Sequence, residues 1–299
     1  MKRLFLATRA MFLPASVLPV LLGTTWGYRV GGQLDLAAFI LALGAVVSLH
    51  AGANIINDVC DDQGGTDRIN RGRISPYTGG SRVIQNGIMT SGQMLVWGVV
   101  LLALAVSLGL ALFAAKGLGV LVFGALGLAL GILYSVPPIQ LSAHGLGEAA
   151  VGLAFGVLPV IGAAWLQSDA LDLGSLLLSL PVGLWVANIL LVNEVPDIDA
   201  DAATGKRTLA VILGPAGTSR LYLISNGLAV VLVVTLAAAG LLPPAGVIGP
   251  LLLGVTALPA ARHLNQAGDR RRALTRAIKL TLAIHAAGTL WLAGLVWIG

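Results

Sequence analysis

Long apolar runs dominate this chain, at roughly 11–30, 36–57, 93–114, 117–135, 148–167, 173–193, 220–240, 245–264 and 275–298. Each is close to the ~20 residues that a helix needs to cross a bilayer. Inside lipid no water satisfies backbone polar groups, so a spanning chain must be helical or a closed barrel, and unbroken apolar runs select the helix. Only 10% of the residues are charged, whereas a soluble domain carries about 25%. The reading is an all-α, polytopic membrane protein with nine transmembrane helices, a single domain over residues 1–299. Its 39 glycines suit close helix–helix approach in lipid. Pro14 and Pro19 predict a kink in the first span. Arg9 interrupts the apolar run that follows Lys2 and Arg3, so the N-terminus reads as a first span rather than as a cleaved leader.

Basic residues are distributed unevenly across these spans. Sixteen of the 18 Lys and Arg fall at the N-terminus and in the even-numbered loops, and only Arg29 and Lys116 lie on the other side. The positive-inside rule then places the N-terminus in the cytoplasm and the C-terminus outside, with the chain in the cell (inner) membrane. The net charge of +5 follows from this distribution and gives no ground for a nucleic-acid partner. Cys60 is the single cysteine, which excludes an internal disulfide and a cysteine-based metal site.

Two polar stretches stand out against this background. The first runs from Asn54 through Asp58, Asp61 and Asp62 to Asp67, and the second from Asn193 through Glu194, Asp197 and Asp199 to Asp201. Both contain Asn-x-x-x-Asp-x-x-x-Asp, at 54/58/62 and 193/197/201. Of the 13 acidic residues in the chain, four lie in each stretch. They begin the two large polar loops, about 58–91 and 194–219, which follow spans 2 and 6. The layout is that of two related halves, offset by four spans, each presenting an Asp-rich motif to one central cavity. The Gly, Asp and Arg content of the first loop suits a lid over a ligand.

Residues four apart share a helix face, so 54/58/62 and 193/197/201 each read as one stripe. Gly64 and Gly65 end the first helix, and Pro196 can start a new turn in the second. Crowded carboxylates at the membrane edge repel one another and call for cations. Asp and Asn offer only oxygen, which selects hard ions such as Mg²⁺, and Mg²⁺ completes its shell with water and phosphate oxygens. Two facing clusters therefore point to a diphosphate clamped by metal. Arg68, Arg71, Arg73, Arg82, Lys206 and Arg207 are the candidate partners for its remaining charge, although topology alone also explains them. Mg²⁺ would neutralise a leaving diphosphate and promote ionisation of an allylic C–O bond, after which an electron-rich aromatic ring could attack. Composition supports the metal and the diphosphate without proving an allylic substrate.

These residues resemble the UbiA family of intramembrane aromatic prenyltransferases over essentially the whole chain. Asn54 to Asp67 is similar to the family's first Asp-rich motif, with the Asp58, Asp61, Asp67 spacing of the 1,4-dihydroxy-2-naphthoate (menaquinone) branch. Asp201-Ala-Ala-Thr-Gly205-Lys206-Arg207-Thr208-Leu209 is similar to the tail of the second motif. Gly79-Gly80-Ser81-Arg82 and Tyr134-Ser-Val-Pro137-Pro138, followed by Gly145-Leu-Gly147-Glu148, also resemble that branch. Glu194 and Pro196 depart from it, which bears on the acceptor rather than on the family.

The resemblance implies nine helices around a central cavity, two Mg²⁺ ions, a polyprenyl diphosphate donor, an aromatic acceptor and a lateral opening to the lipid bilayer. Carried onto this sequence, the resemblance assigns Asn54, Asp58, Asp61, Asp62 and Asp67 to one metal and Asn193, Asp197, Asp199 and Asp201 to the other, not all of them as direct ligands.

His50 lies one turn before Asn54, where it could touch the acceptor or move a proton, or simply hydrogen-bond a neighbouring helix. Tyr134 could line the cavity for acceptor or tail, or sit in the interfacial belt. Other acceptors, namely 4-hydroxybenzoate, homogentisate, haem or a glycerol phosphate lipid, belong to the same reading. A cation-coupled transporter is a different class, but its sites lie near the bilayer midplane, whereas both clusters here sit at one face. A non-catalytic scaffold is the third class.

Overall fold

In the computed structural model, which describes residues 2–266 and 270–298, the described chain is helical and contains no strand. The main apolar helices are α1 (Pro14–Gly31), α2 (Leu36–Gln63), α3 (Ser91–Lys116), α4 (Gly119–Leu133), α5 (Gly147–Ser168), α6 (Leu173–Glu194), α7 (Leu209–Ala238), α8 (Ile248–Leu264) and α9 (Arg270–Ile298). Among the described residues, eight apolar helical segments are long enough to span a bilayer. The fourth expected span is the shorter α4, of 15 residues. Much of α3 carries exposed apolar residues such as Val96, Val99, Val100 and Leu110. A water-facing helix would not carry such a face, and lipid is the solvent that suits it.

Helix starts follow local capping chemistry. Asp35 Oδ1 accepts from the Ala38 N–H at 2.9 Å to open α2, Thr90 and Gln93 form a capping box on α3, and Asp172 caps α6 through the Ser175 N–H. Each satisfies an orphan N–H of a first turn. Away from the acidic stretches, Lys116 Nζ pairs with Asp35 Oδ2 at 3.1 Å, tying the end of α3 to the start of α2.

Two differences from the expected spans have clear causes. The helix expected from residue 220 begins at Leu209, because Thr208 caps it through the Val211 N–H. It then bends at Gly214 (φ 63°), followed by Pro215, which has no N–H for the helical ladder. Likewise α2 runs on to Gln63, carrying the first acidic stretch on ordered helix. The polar loops are therefore partly helical, with short helices at Thr66–Ile69 and Ile198–Ala203.

The larger apolar core joins α6, α7, α8 and α9 around Trp185, Tyr222, Ile278 and Leu292. A second core packs α2 and α3 with Val83 and Met89 of the first polar loop. Inside α5, residues Gly152–Val157 form a π-helical segment. A Cβ on Gly156 would stand 2.5 Å from Gly183 Cα, so only glycine permits this crossing of α5 and α6. The wider turn also brings Ala154 and Phe155 to the wall of the internal chamber, and π segments of this kind often mark functional sites.

Candidate active site

A chamber of about 160 Å³ lies between the ends of α2 and α6. Its wall on α2 is formed by His50, Asn54, Asn57 and Asp61. This is the first correction to the sequence reading. A strict spacing of four drifts by about 40° per step on a helix with 3.6 residues per turn. The chamber stripe is therefore 50/54/57/61, while 54/58/62 rotates beneath the following loop. Asp58 is buried there, its Oδ2 accepting from the Ser81 N–H at 2.8 Å and its Oδ1 3.7 Å from Arg9 Nη1. Asp62 faces the flank, held by Arg68 at 3.0 and 3.1 Å and by Gln85 Nε2 at 3.1 Å.

The second stretch places Asn193, Glu194, Asp197 and Asp201 on the opposite wall, while Asp199 is exposed and lies off the chamber. The two halves meet directly, with Thr66 Oγ1 and Thr204 Oγ1 2.8 Å apart. Asp197 is clamped by the first loop: Asn70 Nδ2 and Thr78 Oγ1 donate to its Oδ1 at 2.7 and 3.0 Å, and the Gly79 N–H to its Oδ2 at 3.1 Å.

Lys206 lies between the clusters, with its Nζ on Asp61 and 3.8 Å from Asp201. Burial works against its ammonium, but Asp61 and Asp201 outweigh that and raise its pKa. Asp67, at the chamber wall, is pushed up to about 7 by burial and then by Asp61 and Asp58. Asp67 Oδ2 and Asp58 Oδ1 are buried without a hydrogen-bond donor. Both face the space above Gly80, where a Cβ would stand 2.5 Å from the first and 3.1 Å from the second.

Among the described residues, no three His, Cys, Asp or Glu side chains converge as a ready-made metal site. The donor set still fits Mg²⁺. It is all oxygen, it leaves two carboxylate oxygens unpartnered, and Mg²⁺ takes only one or two protein carboxylates when phosphate and water supply the rest. Lys206 and Asn70 meanwhile engage the other carboxylates, Asp61, Asp201 and Asp197, and the Ser81 N–H holds the second oxygen of Asp58.

Of the six bases considered for a diphosphate, only Lys206 lines the chamber. Arg68 is held on Asp62, Arg71 and Arg207 are exposed, Arg73 is half-buried under Gly79, and Arg82 donates to the Asp67 carbonyl. The chamber's other cation is Arg9, which sequence reasoning took only as a topology marker. It adopts a left-handed conformation (φ 53°), donates to the Tyr77 carbonyl at 3.1 Å and packs over Phe12. Its interruption of an apolar run was the available signal. Tyr134, just past α4, lines the chamber. His50 lies deepest, its Nδ1 2.8 Å from Ser16 Oγ and its ring stacked on Phe155. Beyond Phe155 opens an apolar cavity of about 360 Å³ walled by α1 to α5.

The family profile for the UbiA prenyltransferase family matches residues 16–295. This chain belongs to the UbiA prenyltransferase family. It is a multi-pass membrane enzyme that transfers prenyl groups. Two relatives are each named 1,4-dihydroxy-2-naphthoate octaprenyltransferase. The Bacillus subtilis protein is 29% identical over 79% of this chain and 74% of its own length. The Haemophilus influenzae protein is 34% identical over 72% and 70%. A UbiA homolog from Archaeoglobus fulgidus, solved bound to GPP and Mg²⁺, shares the fold at a TM-score of 0.66, covering 97% of this chain and 99% of that one at 16% identity. The resemblance read from the motifs is thus borne out at the level of family and fold. In this UbiA-family enzyme the chamber brings together both Asp-rich stretches, a half-buried lysine and an apolar recess.

Proposed function

We propose that this enzyme catalyses Mg²⁺-dependent transfer of a polyprenyl group from polyprenyl diphosphate to 1,4-dihydroxy-2-naphthoate, as a step in menaquinone synthesis. The observation that carries the reading is the pair of acidic walls, Asp61 and Asp67 against Asp197 and Asp201, closing on one chamber with half-buried Lys206 between them. The names of the relatives supply the acceptor.

Asp61 and Asp67, with Asp58 behind them, would hold one Mg²⁺, and Asp197 and Asp201 the second. When bound, the ions neutralise the departing diphosphate. Lys206 turns from Asp61 and Asp201 to the phosphate oxygens, and Arg9 does the same from Asp58 and Tyr77. Asn54, Asn57 and Asn193 orient the diphosphate with neutral dipoles. The prenyl tail lies in the apolar cavity beyond Phe155, where water is excluded and the allyl cation survives long enough to be captured. Tyr134 flanks the acceptor. His50, held by Ser16 and Phe155, borders the prenyl carbons. The whole chain, 1–299, acts as one domain, with the chamber open to the cytoplasmic side and the N-terminus there.

The test is product formation by the protein in nanodiscs, with geranylgeranyl diphosphate, Mg²⁺, and 1,4-dihydroxy-2-naphthoate or 4-hydroxybenzoate offered in parallel. A prenylated naphthoquinol is the expected product, the new C–C bond forming as the diphosphate departs and the acceptor's carboxylate is lost as CO2. Product from 4-hydroxybenzoate alone would overturn the acceptor assignment.

A further inference from the structure

Two buried carboxyl groups stand apart from the ion pairs of the chamber. Glu148 lies in the first turn of α5, and Glu194 is the last residue of α6. They are 6% and 7% exposed and lie within hydrogen-bonding reach of each other. Glu148 Oε1 and Oε2 and Glu194 Oε2 are buried with no donor. A single proton shared between the two carboxyl groups lets one donate to the other, and it still leaves buried acceptor oxygens of the pair, Glu194 Oε2 at the chamber among them, in need of a donor. Among the described residues no ion pair neutralises either group, because Lys206 is committed to Asp61 and Asp201 and Arg9 to Asp58 and the Tyr77 carbonyl.

A buried acceptor without a donor is unfavourable, and a charged one more so. Such a group calls for a partner that arrives with a ligand. A diphosphate cannot be that partner, since it brings further negative charge. Glu194 lines the chamber beside Tyr134, on the wall that continues into Ala150 and Val151 of α5, whereas Glu148 lies behind it. An aromatic hydroxyl is a donor of the right size and polarity for a carboxylate on this mixed polar and apolar wall.

We propose that Glu194 binds a hydroxyl of the aromatic acceptor and that Glu148 is a positioning residue that fixes Glu194. The pair favours an acceptor edge bearing hydroxyls and repels an edge bearing a carboxylate. This rests on the reading that the enzyme prenylates an aromatic acceptor.

The test measures acceptor KM and kcat, and separately Mg²⁺-dependent binding of geranylgeranyl diphosphate, in full-length wild type, Glu194→Gln, Glu148→Ala and Glu148→Gln. Loss of a hydrogen bond to a charged group raises acceptor KM about tenfold or more in Glu194→Gln. Donor affinity stays within about twofold, which also reports that the variant is folded. Glu148→Ala moves acceptor KM the same way, and Glu148→Gln restores most of it, because its amide keeps the shape and can donate to Glu194. An unchanged acceptor KM in Glu194→Gln and Glu148→Ala overturns the inference. So does parallel loss of donor binding, which would assign the pair to the diphosphate half of the site. A wild type that binds donor but prenylates no hydroxyarene defeats the underlying reading, and that outcome is visible without any variant.

Discussion

Asn70, at the start of the first polar loop, donates a 2.7 Å hydrogen bond to Asp197 in the second acidic stretch, 127 residues away in sequence. One half of the protein thus organises a carboxylate of the other. Asn70→Ala removes this donor and leaves Thr78 and Gly79 to hold Asp197. We expect a loss of about 1.5–3 kcal/mol, as for a hydrogen bond to a charged group. Donor KM should rise while the far end of the molecule, where Lys116 meets Asp35, stays intact. Kinetics and thermal unfolding of the variant check this.

Lys206 neutralises Asp61 and Asp201 in the ligand-free protein. Lys206→Met strips half-buried Asp61 and buried Asp201 of their cation, which destabilises the metal-free protein by about 1–3 kcal/mol. Added Mg²⁺ should recover part of that stability even though activity stays low, because the metal can replace the ammonium charge on the carboxylates but the diphosphate has lost a partner. Unfolding with and without Mg²⁺ measures both effects.

Gly80 combines a left-handed backbone (φ 71°) with close approach to Asp67 and Asp58. Gly80→Ala costs about 1–2 kcal/mol for the backbone alone. It also drives a methyl group against Asp67 Oδ2. The expected result is a folded protein with Mg²⁺-dependent donor binding reduced at least about tenfold. Wild-type binding in this variant would show that the space above Gly80 is not used.

Asp67 titrates at about 7 in the metal-free protein, above its ordinary 3.8. The folded state therefore keeps a proton that the unfolded chain releases, and this group's contribution makes the metal-free fold lose stability as pH rises from about 4 to about 7. A cation must displace that proton. Mg²⁺ binding should release a proton at pH 6 and none from this group at pH 8.5, with affinity rising up to about pH 7 and then levelling. Calorimetry in buffers of different ionisation enthalpy reads the proton count.

Much of this could be read from the sequence, because lipid leaves a chain few choices. The apolar runs gave the helices. The acidic stretches located the chamber because charge beside an apolar span has few structural uses. Register was harder. The repeated spacing of four suggested the stripe 54/58/62, but helical drift puts Asn57 and Asp61 on the chamber and Asp62 on its flank. Arg9 and Asn70 were missed as site residues, and Glu194 was read only with its own stretch and not with Glu148, because each acts on a partner distant in the chain. Spacing within one helix carries no record of such contacts. The π segment in α5 was equally invisible, since it follows from how Gly156 meets Gly183 rather than from any local preference.

The central claim is that the two acidic stretches form a single metal-dependent site. Its most direct test is binding of geranylgeranyl diphosphate to wild type, Asp61→Asn, Asp197→Asn and the double variant, with and without Mg²⁺. One shared site predicts binding only with Mg²⁺, a loss of about 100-fold in each single variant, and a double variant little worse than either single, since coupled groups are not additive. Binding that ignores Mg²⁺, or losses that simply add, would contradict it.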